Sequence, residues 1–516
     1  MAFSILSLPM SKFYITTAIP YVNAAPHIGF AMEAVQADVL ARFHRMKGDR
    51  TYFLTGVDEH GVKLYETAKA AGVDTQEFAD KNAEKFESLK DLLNLTNEGF
   101  IRTTSDYHKE GAGKLWRAMF KKGDIYKGEY QGLYCAGCEA FVLEKDLVDG
   151  KCPNHDKPPK VLKEKNHFFK LSKYSDAIKK AIETDELRIL PESRKHEILN
   201  MIGAGLKDVS FSRPKDILPW GIDVPDDPSQ VMYVWCDALA NYITGIGYGE
   251  GSELFEALWP CDAHVIGKDI LRFHAGIWIG MLMSAGLSLP KAIYVHGFVT
   301  SEGKKMSKSI GNVVDPVEYV EKYGVDPLRY YLMREIPTGD DGDFSKKRFE
   351  ELYNSELANS YGNLVNRVCM MVDRYLGSKI KGKEKNEELY SKLTETWKVY
   401  EDGMENFNIK VAVEAVVELL SYANKYVEEQ KPWELAKVDM NALAAVLYNL
   451  LEIVRNVSLM LWPVIPGKAE EVLARLGLDV KCLSDVGVRC GYGKHFGYLK
   501  DGGKILKGEP LFPRLE

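Results

Sequence analysis

Two short segments of the chain carry residue types that handle phosphate, and a third carries types that hold a metal. Pro26-His27-Ile28-Gly29 lies in a turn between a strand-like run and a long helical pattern. A helix start at such a turn offers free backbone N–H groups and a positive dipole end to an anion. His27 adds an imidazole donor, and Gly29, with no side chain, lets a flat base or a phosphate approach the backbone. Lys305-Met306-Ser307-Lys308-Ser309 follows Gly303 and Lys304 in a Gly/Ser/Lys loop. Two lysines there suit a triphosphate whose charge rises in a transition state. Each segment alone has a plain reading, a helix-start glycine or a solvated basic loop; the two together point to one nucleotide site. Cys135-x-x-Cys138 and Cys152-x-x-His155 are separated by residues 139–151. Four N/S donors in two tight pairs fit tetrahedral Zn²⁺ with no position left open, so the expected site is structural and holds one ion.

The elements that must position these residues are legible in the periodicity. Phe13 to Thr17 reads as a strand, about His27 to His44 as a helix, and Thr51 to Thr55 as a second strand. His264 to Ile266 and Ile293 to Phe298 are two further strand-like runs, with an apolar helical pattern from Ile270 between them. Strands alternating with helices predict a parallel α/β sheet. The sheet is split in sequence by a Cys-, Lys- and Pro-rich stretch, about 118–230, expected to be an inserted domain. From about Glu356, Leu357, Tyr361, Leu364, Val368, Met371 and Tyr375 recur at steps of four and three, one apolar helical stripe. Further helical patterns at Val411 to Glu429 and Asn441 to Leu461 make the tail a helical bundle. The expected division is 12–117 and 231–300 for the two halves of the nucleotide-binding domain, 118–230 for the insertion, 301–355 for the lysine loop and the segment joining it to the tail, and 356–516 for the bundle.

Composition sets limits. A chain of 516 residues exceeds one hydrophobic core. Apolar residues at 46% and charged residues at 27% are ordinary for a globular protein. The net charge of −7 means that any nucleic-acid site is a local basic face on an acidic body. Ala275 to Pro290, read as the most apolar stretch, falls short of the ~18–20 residues of a spanning helix. No export signal is visible, so no membrane partner and a cytoplasmic location are expected. Three of the eight cysteines cluster in one segment, which favours metal binding over disulfides.

At this point the motifs resemble a family. His27-Ile28-Gly29-Phe30 resembles the "HIGH" signature of class I aminoacyl-tRNA synthetases, and Lys305 to Ser309 matches their "KMSKS" signature in full. Phe30 stands where the signature has its second His, which removes one imidazole contact to ATP. The zinc pattern inside the insertion is similar to that of the methionyl-tRNA synthetases, in their bacterial-type short form with one knuckle set, and the likeness covers nearly the whole chain. The resemblance implies a Rossmann-type parallel sheet split by a zinc-binding connective insertion and followed by a helical anticodon-binding domain.

The resemblance also implies site residues. Ala18, Ile19 and Tyr21 precede His27 as in the family's amino-acid pocket. Asp58, in Gly56-Val57-Asp58-Glu59-His60-Gly61, would face the substrate ammonium group. Trp235, Ala238, Leu239 and Tyr242 resemble its aromatic wall, and Phe273 and His274 its far end; aromatic rings suit an unbranched thioether. ATP contacts would come from His27, Gly29, Phe30, Arg213, Asp269, Lys305 and Lys308, with His27, Gly29, Lys305 and Lys308 in the catalytic role and Mg²⁺ accompanying ATP. Asn363, Arg367 and Trp433 match residues that read the CAU anticodon, a Trp stacking on an unpaired base. The implied partners are ATP, L-methionine and initiator and elongator tRNA(Met). Because the chain stops at Glu516 soon after Pro510 to Leu515, without the extra C-terminal domain of longer members, a monomer is expected. Rival readings are a class I synthetase for cysteine or a branched aliphatic amino acid, a nucleotidylyltransferase with a His-x-Gly-His motif, and an inactive RNA-binding relative.

Overall fold

The computed structural model describes residues 11–135, 140–142, 144, 147–153, 156–306, 311–478 and 496–515. Its central sheet has six strands: β1 Lys12–Thr17, β2 Arg50–Val57, β3 Gly99–Arg102, β4 Arg188–Leu190, β5 Ala263–Gly267 and β6 Ala292–His296. Their order is β3-β2-β1-β5-β6-β4, and every pairing is parallel. The chain runs outward from β1 in one direction through β2 and β3, then lays β4 at the opposite edge and fills the space between with β5 and β6. The order therefore reverses between β1 and β5, and such a reversal opens a crevice at the carboxyl ends of the strands. β1 and β5 are apolar and β-branched because both faces of a parallel sheet are covered.

The Ile28–Lys47 helix buries polar residues as well as apolar ones. Asp38 lies between Arg42, at 2.8 Å, and Arg329, at 2.7 Å. Arg329 spends its other donors on the carbonyls of Leu93, Pro463 and Val464. A buried guanidinium with its donors satisfied in this way ties the first helix to the C-terminal bundle.

The insertion is built on an antiparallel ladder of Ile125–Cys135 against Lys160–Phe169, running from Ile125↔Phe169 to Tyr134↔Lys160. The Cys-, Lys- and Pro-rich composition of about 118–230 leads to the expectation of a separate inserted domain. In the structure β4, from inside that range, leaves it and pairs with β6 at the edge of the main sheet. Three residues are too few to show a period, so the strand carried no sequence signal.

The tail is helical as expected. Helix Asn363–Leu376 packs on Ile409–Gln430 and Met440–Leu461; Glu387–Glu405 packs on the same two, and Pro466–Arg475 on Met440–Leu461. The Leu357 stripe is buried through Val368, while Met371 and Tyr375 are half-buried at its end. Tyr353–Gly362 takes a wider π-type turn that hands on to Asn363. Ala275 to Pro290 is not the longest apolar segment: Met440–Leu461 is long and apolar enough to cross a membrane, but 94% of its most apolar window is buried in the bundle, where it is the core helix.

Candidate active site and base-reading face

His27 is the N-cap of the first helix, with extended backbone (φ −124°, ψ 175°), and its Nδ1 accepts the Gly29 N–H at 3.1 Å. That fixes the tautomer: the proton sits on Nε2, the nitrogen left to donate. Burial lowers the imidazole's pKa, so the ring is a neutral donor at pH 7. A Cβ on Gly29 would lie 2.9 Å from the His27 ring, so any side chain at 29 would displace the imidazole.

The expectation of free helix amides needs correction. Ile28 N–H donates to Val314 O at 3.1 Å, Gly29 N–H to His27 Nδ1, and Phe30 N–H to His27 O at 3.0 Å. The helix start is already capped, so the imidazole Nε2–H rather than these amides is the donor left open. The Val314 contact also fastens the chain just beyond the lysine loop to the start of the first helix.

Two residues without a motif of their own meet beside this point. Glu33 and His296, at the end of β6, pair at 2.7 Å, and the other imidazole nitrogen faces Gly297 O at 2.8 Å. Burial alone lowers the His296 pKa, but the Glu33 hydrogen bond and charge outweigh it and hold it above its ordinary value. The available signal was a histidine at the carboxyl end of a strand. Asp269 lies in the turn after β5, where a Cβ on Gly267 would come 2.9 Å from its Oδ1.

Most of the residues expected to line an aromatic wall pack together. Trp235 stacks on Phe273 with centroids 3.9 Å apart and planes 10° from parallel, and His274 meets the indole edge-on at 6.3 Å. Phe273 and His274 open a π-type turn, Phe273–Trp278. The Tyr242 hydroxyl donates to His274 Nε2 at 2.7 Å, and His274 Nδ1–H donates to Ile270 O at 3.0 Å. Trp235 Nε1 is buried with no hydrogen-bond partner among the described residues. Ala18, Tyr21 and Trp235 pack on the same apolar cluster as Leu239, Tyr242 and Phe273, and Ala238 is buried next to Leu239. Ile19 does not join them; it packs on the separate Tyr14–Leu54 cluster. The Asp58 N–H donates to Pro20 O at 2.9 Å, and its Oδ1 accepts the His60 N–H at 3.2 Å.

Arg213 is placed differently from the expectation. It lies on Ser212–Pro214, and its guanidinium forks onto Glu164 with both bonds at 2.8 Å, over the Tyr134 ring. In this structure the guanidinium is a buried partner of Glu164.

Lys305 pairs through its backbone with Thr300. Lys308 lies outside the described residues, as do Cys138 and His155. Of the expected zinc donors, Cys135 and Cys152 are buried together in a small cluster with Val142. Among the described residues no three His, Cys, Asp or Glu side chains converge on a metal-sized gap. In the bundle, Asn363 is exposed at the start of its helix, and Arg367, one turn on, has its guanidinium 5.9 Å from the Trp433 ring and 2.8 Å from Glu428. Trp433 follows Pro432 at the start of the short Pro432–Val438 helix.

Comparison with known proteins identifies the family. The family described as "tRNA synthetases class I (M)" matches residues 13–158 and 144–369, and "Anticodon binding domain of methionyl tRNA ligase" matches 377–512. The methionine–tRNA ligase of Thermotoga maritima is 43% identical over 98% of this chain and 80% of its own length. That of Brucella suis is 40% identical over 98% of both chains. A Mycobacterium tuberculosis methionyl-tRNA synthetase solved with methionyl-adenylate superposes with a TM-score of 0.91 at 39% identity, over 98% of this chain and 100% of that one. By sequence, fold and the two matched domains, the chain belongs to the methionyl-tRNA synthetase family of class I and is a methionine–tRNA ligase.

Proposed function

We propose a division of labour for the ligase reaction among three parts of the chain. The methionine side chain lies against Trp235 and Phe273, with Ala18, Tyr21, Ala238, Leu239, Tyr242 and His274 closing the pocket and Asp58 facing the ammonium group; Ile19 contributes through its backbone. The observation that carries this reading is the Trp235–Phe273 stack with a Tyr242–His274 bond at its edge. The ATP phosphates lie at the switch between β1 and β5, beside His27 and Gly29, with Phe30 beneath the imidazole and Asp269 and Glu33 on the nucleoside side. Mg²⁺ accompanies ATP.

A methionine carboxylate oxygen attacks the α-phosphorus. The new P–O bond forms as the bond to the β-phosphate oxygen breaks, and pyrophosphate leaves. The 2′-hydroxyl of the terminal tRNA ribose then attacks the acyl carbon, its proton passing to a phosphate oxygen of the leaving group, and AMP leaves. A carboxylate needs no base at neutral pH, so the residues act by positioning and charge stabilisation. His27 donates Nε2–H to a phosphate oxygen, and Lys305 and Lys308 offset the charge that grows on the triphosphate.

Asn363, Arg367 and Trp433 read the CAU anticodon of initiator and elongator tRNA(Met), with Trp433 supplying a stacking face. Cys135 and Cys152, already buried together, fit two positions of a structural Zn²⁺ site whose other donors are Cys138 and His155; the ion would pin the end of the insertion's ladder. The pocket, phosphate end and base-reading face each come from one chain, so a monomer suffices, working in the cytoplasm. Pyrophosphate exchange by Lys308→Ala is the test: turnover should fall on the order of a hundredfold or more while methionine KM moves little, since the charge matters where it develops. A raised methionine KM with unchanged turnover would contradict the role given to the lysines.

A further inference from the structure

Asp237 stands two residues after Trp235, and its side chain is fully buried. Its Oδ2 accepts from His60 Nδ1 at 2.7 Å and its Oδ1 from His108 Nε2 at 2.8 Å. His108 Nδ1 then faces the Thr244 hydroxyl at 2.7 Å. A Thr–His–Asp chain resembles an activated nucleophile, but Thr244 is 1% exposed, so no substrate reaches it and the chain is internal. A carboxylate buried this completely is costly unless both oxygens are satisfied. Two imidazole N–H donors meet that need.

The four residues come from both sides of the insertion. His60 follows β2, and His108 lies on the Asp106–Lys121 helix; Asp237 and Thr244 lie beyond residue 230. The His60 backbone N–H holds Asp58 Oδ1, and Asp237 shares the Val234–Leu239 helix with Trp235. One carboxylate therefore connects the residue at one end of the amino-acid pocket to the ring that walls the other.

We infer that Asp237 is a positioning residue for methionine: by clasping His60 and His108 it sets the separation of Asp58 and Trp235, and with it the length of amino-acid side chain the pocket accepts. The inference rests on the pocket reading above. It assigns Asp237 no contact with substrate.

The test is pyrophosphate exchange with the full chain, measuring KM for methionine and ATP separately and selectivity for methionine over norleucine. Asp237→Asn should raise methionine KM on the order of tenfold, the loss expected for one charge-assisted hydrogen bond, and lower the selectivity, with ATP KM within about twofold. The two histidines donate from different nitrogens, which gives a rescue pattern. His60→Asn keeps a donor at the Nδ1 position and His108→Gln keeps one at the Nε2 position, so both should retain most of the methionine affinity that His60→Ala and His108→Ala lose. This pattern can be read even if Asp237→Asn fails to fold. Parallel rises in both KM values, or alanine and amide variants that behave alike, would overturn the clasp. Trp235→Ala separates the two failures. If it raises methionine KM while the clasp variants do not, the pocket stands and the clasp falls; if it does not, the pocket reading itself fails.

Discussion

The Phe30 ring lies 4.4 Å from the His27 imidazole, with the two planes 30° apart, and Phe86 meets Phe30 edge-on at 5.6 Å. The residue that departs from the family signature is thus the surface on which the signature's first histidine rests. Its packing replaces a second polar contact with a rotamer constraint.

Phe30→Ala should therefore slow adenylate formation by roughly two- to tenfold, the factor corresponding to an aromatic pair of ~0.5–1.5 kcal/mol. Phe30→His should retain activity, since an imidazole offers a similar flat face. Single-turnover rates of adenylate formation check both. An alanine variant as fast as the parent would show that the stack does not hold His27.

How much of this is legible in the sequence depends on the kind of signal. β1, β2, β5 and β6 are visible because buried parallel strands are apolar runs with turn residues at their ends. The bundle stripe is visible because its period is helical. β4 has three residues and no period. The site divides in the same way. Local motifs point to His27 and Gly29, whereas the Trp235 wall is legible only through the family resemblance. Glu33, His296, His60, His108 and Asp237 depend on pairing across as many as 263 positions, as Glu33 with His296 does, which no local pattern records. Arg213 is assigned to ATP by sequence because its neighbours look like a family segment; Glu164, which takes its charge, is distant in sequence.

His274 makes the pocket sensitive to acid. Burial holds its pKa down at about 4, against an ordinary value of 6.5. The folded ring is neutral because burial penalises its charged form; the hydrogen bond from Nδ1–H to Ile270 O works the other way and only partly offsets this. The stability tied to this ring is present above pH 6.5. As the pH falls from 6.5 toward 4, the unfolded chain takes up a proton that the folded chain refuses, and stability falls. The linkage is worth about 2 kcal/mol at pH 5, from ~1.4 kcal/mol per unit below 6.5. Denaturant unfolding at pH 7 and pH 5 should show a smaller acid loss for His274→Gln than for the parent. Equal losses would show that another group carries the effect.

The cysteine pair makes a metal-dependent prediction. Purified protein should contain about one zinc per chain, as a single four-ligand site requires. Cys135→Ser should lower that content, and a strong chelator should reduce the melting temperature, because Cys135 ends the long ladder of the insertion. Full zinc content in a Cys135→Ser, Cys152→Ser double variant would place the metal elsewhere or remove it from the account.

The Arg367–Trp433 contact makes a prediction in which the two half-reactions respond differently. The guanidinium rests 5.9 Å from the indole centroid and is held on its other side by Glu428. That arrangement keeps the Trp433 ring and the Arg367 fork on one face with Asn363, where an unpaired base can stack on the ring and be read at its edge. None of these residues lies near the Trp235 wall in the chain, and none belongs to the apolar cluster that builds it. Trp433→Ala should leave pyrophosphate exchange unchanged while lowering tRNA charging by roughly ten- to a hundredfold, the cost of one base–aromatic stack of ~1–3 kcal/mol. The charging defect should appear with CAU-bearing tRNA and be small with a tRNA of altered anticodon, which has already lost the contact. Glu428→Gln adds a second measurement. Releasing the guanidinium from its carboxylate leaves it more positive toward RNA, so charging at raised salt should be retained better than in the parent. If Trp433→Ala charges CAU-bearing and altered tRNA with the same relative efficiency as the parent, the base-reading face lies elsewhere on the bundle.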